Sequence, residues 1–101
     1  MWILRTVESP ARPSLTFRVT PGASRTLGRG AVADFVVAGP MVSRLHARVL
    51  VSASGLLEVE DLGSTNGTYV NDRRVTHSVL VAGDLLRLGR VEIKVSQAGE
   101  P

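Results

Sequence analysis

Cysteine is absent from the 101 residues, which excludes disulfide staples and thiolate metal sites and fits a reducing compartment. Histidine is scarce: His46 and His77 stand alone, in no metal-ligand spacing such as H-E-x-x-H, so no metal site is expected. Lysine is almost missing. Eleven of the twelve basic residues are arginine, with Lys94 the exception. The formal net charge is only +3 and the longest arginine run is Arg73-Arg74, so nothing here calls for nucleic acid. No apolar run approaches the ~20 residues of a membrane span. Met1-Trp2-Ile3-Leu4-Arg5 lacks the basic n-region and long apolar h-region of a secretory leader. No window carries a helical stripe either. A non-membrane, cytoplasmic, all-β chain is what these absences leave.

What is present is period-two alternation. Leu15, Phe17 and Val19 alternate with polar neighbours, as do Ala47, Val49 and Val51, then Leu57 and Val59, then Val91, Ile93 and Val95. Turn chemistry separates these runs every 8–12 residues or so: Ser9 to Pro13, Pro21-Gly22, Ala38-Gly39-Pro40, Ala53-Ser54-Gly55, Asn71-Asp72 and Ala82-Gly83-Asp84. The pattern predicts strands at 2–7, 14–19, 24–28, 34–37, 46–52, 56–61, 68–70, 73–75, 84–88 and 91–96. Arg73 to Leu80 carries no fingerprint of its own. A single domain over 1–96 is expected, with 97–101 as a tail or the start of a linker and Met1 marking an N-terminal module. Such regular strands and turns predict an antiparallel sandwich or barrel.

The densest chemistry lies in Asp61-Leu62-Gly63-Ser64-Thr65-Asn66-Gly67-Thr68, a tight loop of hydroxyl, amide and glycine residues between apolar runs. Its backbone N–H groups, hydroxyls and amide form a donor set suited to phosphate. Three other readings are open to the motifs. Gly28-Arg29-Gly30-Ala31-Val32-Ala33 has the spacing of a dinucleotide fingerprint, but Asp34-Phe35-Val36-Val37 reads as a strand where that motif needs a helix. Asn66-Gly67-Thr68 fits a glycosylation sequon without a secretory signal to use it. Ser43 or Ser64 with His46 and Asp61 supplies the residue types of a small hydrolase, but no G-x-S-x-G elbow is present. A lone histidine at a strand start more often satisfies loop backbone.

Gly28-Arg29, Ser43-Arg44-Leu45-His46 and Asn66-Gly67, in that order and spacing, resemble the signature of the forkhead-associated (FHA) domain. Val42, Ala47, Asp61 to Thr65 and Val70-Asn71 extend the resemblance, as do Gly83-Asp84 and Leu88-Gly89. It covers about Trp2 to Val95. The resemblance implies an FHA/SMAD-like sandwich of two antiparallel sheets with ten or eleven strands, whose loops at one end bind a phosphothreonine peptide. By position, Arg29, Ser43, Arg44 and Thr65 would meet the phosphate and Asn66 the peptide backbone. Gly28, His46 and Gly67 would shape the loops. The implied partner is a Thr-phosphorylated protein made by a Ser/Thr kinase, bound by a monomer without cofactor, nucleic acid or catalysis. A phosphate-independent interaction module is the alternative. One departure stands out: Gly30 to Gly39 is rich in Gly and Ala where the family carries polar residues, which bears on the flanking residues selected.

Overall fold

The computed structural model describes residues 1–98, and among these there are eleven strands and no helix. The strands are β1 (Trp2–Thr6), β2 (Thr16–Val19), β3 (Ser24–Gly28), β4 (Phe35–Val36), β5 (Ala47–Val51) and β6 (Leu57–Asp61), then β7 (Thr68–Val70), β8 (Arg73–Val75), β9 (His77–Leu80), β10 (Leu85–Leu88) and β11 (Val91–Gln97). One sheet runs β2-β1-β11-β10-β7-β8 and the other β4-β3-β5-β6-β9. Most of the alternating residues face inward as expected: Ala47, Val49, Leu57, Val59 and Ile93 are fully buried between the sheets, whereas Leu15 precedes β2 and is exposed. Phe17 at the edge of one sheet stacks on Phe35 at the edge of the other, centroids 4.6 Å apart, and closes that side of the sandwich.

Two features depart from the strand assignment made on pattern alone. His77–Leu80 forms β9, where no strand was expected. Only Leu80 of its four residues is fully buried, so no alternating apolar signal marks it. Its partner is β6, reached because the chain passes from one sheet to the other across Thr76 alone, whose carbonyl accepts from Asp61 N–H. Second, β3 and β4 pair in parallel (Leu27↔Phe35, Gly28↔Val36), within an otherwise antiparallel sandwich. The Asp34 carboxylate holds this short edge together: Oδ2 accepts from Thr26 N–H at 2.9 Å and from Thr26 Oγ1 at 3.1 Å. These bonds lower the Asp34 pKa, the Thr26 N–H most and its hydroxyl next. Elsewhere turn chemistry explains the connections. Asn71 and Asp72 join β7 to β8 with φ of 50° and 68°, the backbone of a type I′ hairpin.

Register places the loops. Leu27 faces Ala47, Ala47 faces Asp61, and Thr68 faces Leu88. The β3–β4, β4–β5, β6–β7 and β10–β11 connections therefore share one end of the sandwich. At the opposite end Trp2 faces Gln97, and Ala98 N–H bonds Met1 C=O at 2.9 Å. β11 thus continues to Gln97, one residue into the expected tail; Ala98 follows it, and Gly99 to Pro101 lie outside the described residues.

Candidate functional site

Three loops meet because two small features let them. Gly28 lies so close to the β4–β5 loop that a Cβ there would sit 2.0 Å from the Arg44 carbonyl oxygen. Without a side chain, the β3–β4 and β4–β5 loops zip together: Arg29 N–H bonds Ser43 C=O at 2.9 Å and Gly30 N–H bonds Arg44 C=O at 3.1 Å. Gly28→Ala is expected to force this backbone apart, costing about 2–4 kcal/mol. The melting temperature would fall by about 10 °C or more. A melt within two or three degrees of wild type would show that the loop moves without penalty.

His46 is the second. It is fully buried, and both ring nitrogens are engaged. Nδ1 accepts from Ser43 N–H at 3.0 Å, which leaves the proton on Nε2 to donate to Gly67 C=O at 2.8 Å. One imidazole thus ties the β4–β5 loop to the β6–β7 loop. Gly67 itself has φ of +90°, a conformation that suits glycine.

The β6–β7 loop is organised by Asp61. Its Oδ1 accepts from the hydroxyls of Ser64 at 2.6 Å and Thr68 at 2.7 Å. Its Oδ2 accepts from the N–H groups of Gly63 and Ser64, both at 3.0 Å. Gly67 N–H in turn bonds Ser64 Oγ at 2.9 Å. This corrects in part the expectation that the loop's backbone donors face an anion: Asp61 takes the N–H groups of Gly63 and Ser64, Ser43 Oγ takes that of Thr65, and Ser64 Oγ takes that of Gly67. The donors left without a partner among the described residues are the Asn66 N–H, the Thr65 hydroxyl and part of the Asn66 amide. The signal was present in the sequence, since an aspartate two residues before glycine and three before serine favours such a turn.

Burial pushes the Asp61 carboxyl up, but the hydrogen bonds from Ser64, Thr68 and the Ser64 and Gly63 N–H groups outweigh it and lower its pKa. A depressed carboxyl stabilises the fold above its unfolded value of about 3.9, and that stabilisation is lost as pH falls through the lower folded value. Acid melts should therefore steepen below about pH 4. Asp61→Asn should flatten that acid limb and cost about 1–2 kcal/mol at neutral pH, allowing for solvent access. Parallel pH profiles for the two proteins would disprove the role.

Arg29, Ser43, Arg44 and Thr65 line a single open basin at this end. Arg29 Nε donates to Val42 C=O at 3.0 Å, which fixes the guanidinium plane and leaves its terminal nitrogens without an internal partner among the described residues. Ser43 Oγ accepts from Thr65 N–H at 3.2 Å, so its own proton is free to donate outward. Arg44 is exposed and makes no ion pair among the described residues. No carboxylate lines the basin. Asn66 stands beside it rather than in its lining, its Nδ2 donating to Met41 C=O at 3.0 Å. Met41 was not singled out by sequence. It adopts φ of 71°, unusual for a residue with a Cβ, and this turns its carbonyl to Asn66. Nothing in its residue type signals that.

A hydrolase arrangement is not assembled. His46 bonds the Ser43 backbone and not its hydroxyl, and the Asp61 carboxylate is held by its own loop.

The geometry defines a β-sandwich module with a basin at one end, lined by two arginines and no carboxylate and built from three loops. The FHA domain family model matches residues 25–89, and the chain belongs to that family. It is 37% identical over 94 residues to the FHA domain-containing protein FhaA of Mycobacterium tuberculosis, covering 84% of this chain and 18% of that protein. It is 39% identical over 79 residues to the ABC transporter ATP-binding/permease protein Rv1747 of the same organism, covering 78% of this chain and 9% of the relative. A solved structure from a study of phosphothreonine-dependent FHA domain interactions superposes with a TM-score of 0.81, at 33% identity and 98% coverage of both chains. The chain spans less than half the length of the curated relatives it matches.

Proposed function

We propose that this chain is a phosphothreonine-dependent protein-interaction module, without catalysis of its own, acting inside the cell on products of Ser/Thr kinases. The observation that carries this reading is the basin itself. Two guanidiniums and an outward-donating serine hydroxyl converge there, and no carboxylate lines it. A phosphate near neutral pH brings about −1.5 to −2 charges and three acceptor oxygens to such a site. Arg29 offers a fork, Arg44 a second cation, and Ser43 and Thr65 hydroxyl donors. Asn66 keeps an amide oxygen and one amide hydrogen for the backbone of the bound peptide, which makes recognition tolerant of most peptide sequences. The Met41 bond holds that amide in place beforehand. An FHA-family fold and a close structural likeness to a phosphothreonine-dependent relative support the same reading.

Several charge-assisted bonds, less the cost of ordering the peptide, correspond to a Kd of about 1 μM. Fluorescence-polarisation titration of a degenerate peptide pool with a central phosphothreonine, beside phosphoserine and threonine pools, tests this. Selective binding of the phosphothreonine pool is expected. Equal affinity for the threonine pool would leave a phosphate-independent interaction module.

A further inference from the structure

The basin has a second wall that the phosphate does not use. Ala31 and Val32 of the β3–β4 loop and Leu45 of the β4–β5 loop line it beside Arg29 and Arg44. Val32 is 75% exposed and Leu45 42% exposed. Single exposed aliphatic residues are ordinary on a protein surface. Here they sit around a cationic anchor, on backbone that is held. Ala33 is buried and its N–H bonds Gly30 C=O at 3.1 Å, while Gly30 N–H bonds Arg44 C=O at 3.1 Å. Asp34 pins the far end of the loop to Thr26. The tip carrying Val32 is thus fixed at both ends.

Arg44 joins the two halves of the wall. A Cβ on Gly30 would lie 3.2 Å from Arg44 Cβ and 3.4 Å from its Cγ, so the arginine stem passes directly over Gly30. The methylenes extend the apolar surface while the guanidinium remains for the phosphate.

We infer that Val32 and Leu45 form a specificity subsite for an aliphatic side chain that flanks the phosphothreonine, on the side of the peptide away from Asn66. The inference rests on reading the basin as the phosphothreonine site. Continuity decides the occupant: one basin holds both the phosphate donors and the apolar wall, and Asn66 is not part of its lining. A peptide anchored by its phosphate therefore lays a neighbouring residue on Val32. Leucine there removes its own methyl groups and those of Val32 and Leu45 from water. An acidic neighbour would be drawn instead to Arg44, and the test separates these choices.

The experiment is a polarisation panel on the whole chain. Phosphothreonine peptides carry Leu, Ala or Asp at each of the three positions on either side of the phosphothreonine, with the Ala-flanked peptide also made unphosphorylated. Leu should exceed Ala by about five- to tenfold at a position on one side only. The Leu/Ala ratio at that position should fall to near one in Val32→Ser and in Leu45→Ser, whatever the absolute affinities. A ratio near one at every position in the wild type overturns the subsite while phosphate dependence stands. So does a preference for Asp, or a Leu preference that survives both substitutions. Equal binding of phosphorylated and unphosphorylated Ala-flanked peptides overturns the underlying reading as well.

Discussion

Arg29→Ala should weaken binding of a phosphothreonine peptide by about 2–4 kcal/mol, roughly 30- to 1,000-fold. The size follows from geometry. The Nε bond to Val42 C=O holds the fork in one orientation, so little side-chain entropy is lost when phosphate arrives. Alanine removes the fork and the bond together. Lysine restores a charge but cannot brace against Val42 and face the phosphate at once, so Arg29→Lys should fall between the two. The fold should hardly notice, because Arg29 is exposed and contributes a single side-chain hydrogen bond. Isothermal titration with one phosphopeptide, paired with a melt of each variant, checks both halves. Unimpaired binding by the alanine variant would remove Arg29 from the mechanism.

His46→Ala should have the largest effect on stability, about 3–5 kcal/mol. Truncation leaves Ser43 N–H and Gly67 C=O without their partner, next to a cavity the size of an imidazole. The expected fall in melting temperature is roughly 12–40 °C. Asparagine can place an acceptor near the position of Nδ1 but does not reach Gly67, so His46→Asn should recover part of the loss. Phosphopeptide binding should weaken in both, since Ser43 and Thr65 are then held by one loop fewer. A His46→Ala protein that melts within a few degrees of wild type would mean that water substitutes for the ring.

The two large effects also mark how far the sequence could be read. The apolar alternation in Ala47 to Val51 and Val91 to Val95 signals the core strands because each has one face buried. β9 gives no such signal: it is an edge strand, and its pairing with β6 depends on a change of sheet at Thr76. Arg29, Ser43, Arg44 and Thr65 were legible as a set through the resemblance to the FHA signature, and they line one basin. The bond between the Met41 carbonyl and the Asn66 amide was not legible, because it follows from a positive φ at Met41 that residue type does not encode.

The pairing of Trp2 with Gln97 has a practical consequence. Both ends of the described chain leave from the pole opposite the basin, side by side. A polypeptide, label or surface joined near Met1 or Ala98 starts at the pole opposite the basin, and the two attachment points lie together. The unit can hang from a larger assembly by one stalk or two with its reading end facing outward. Its orientation toward a phosphorylated partner is then a matter of tether length, not of which terminus is joined.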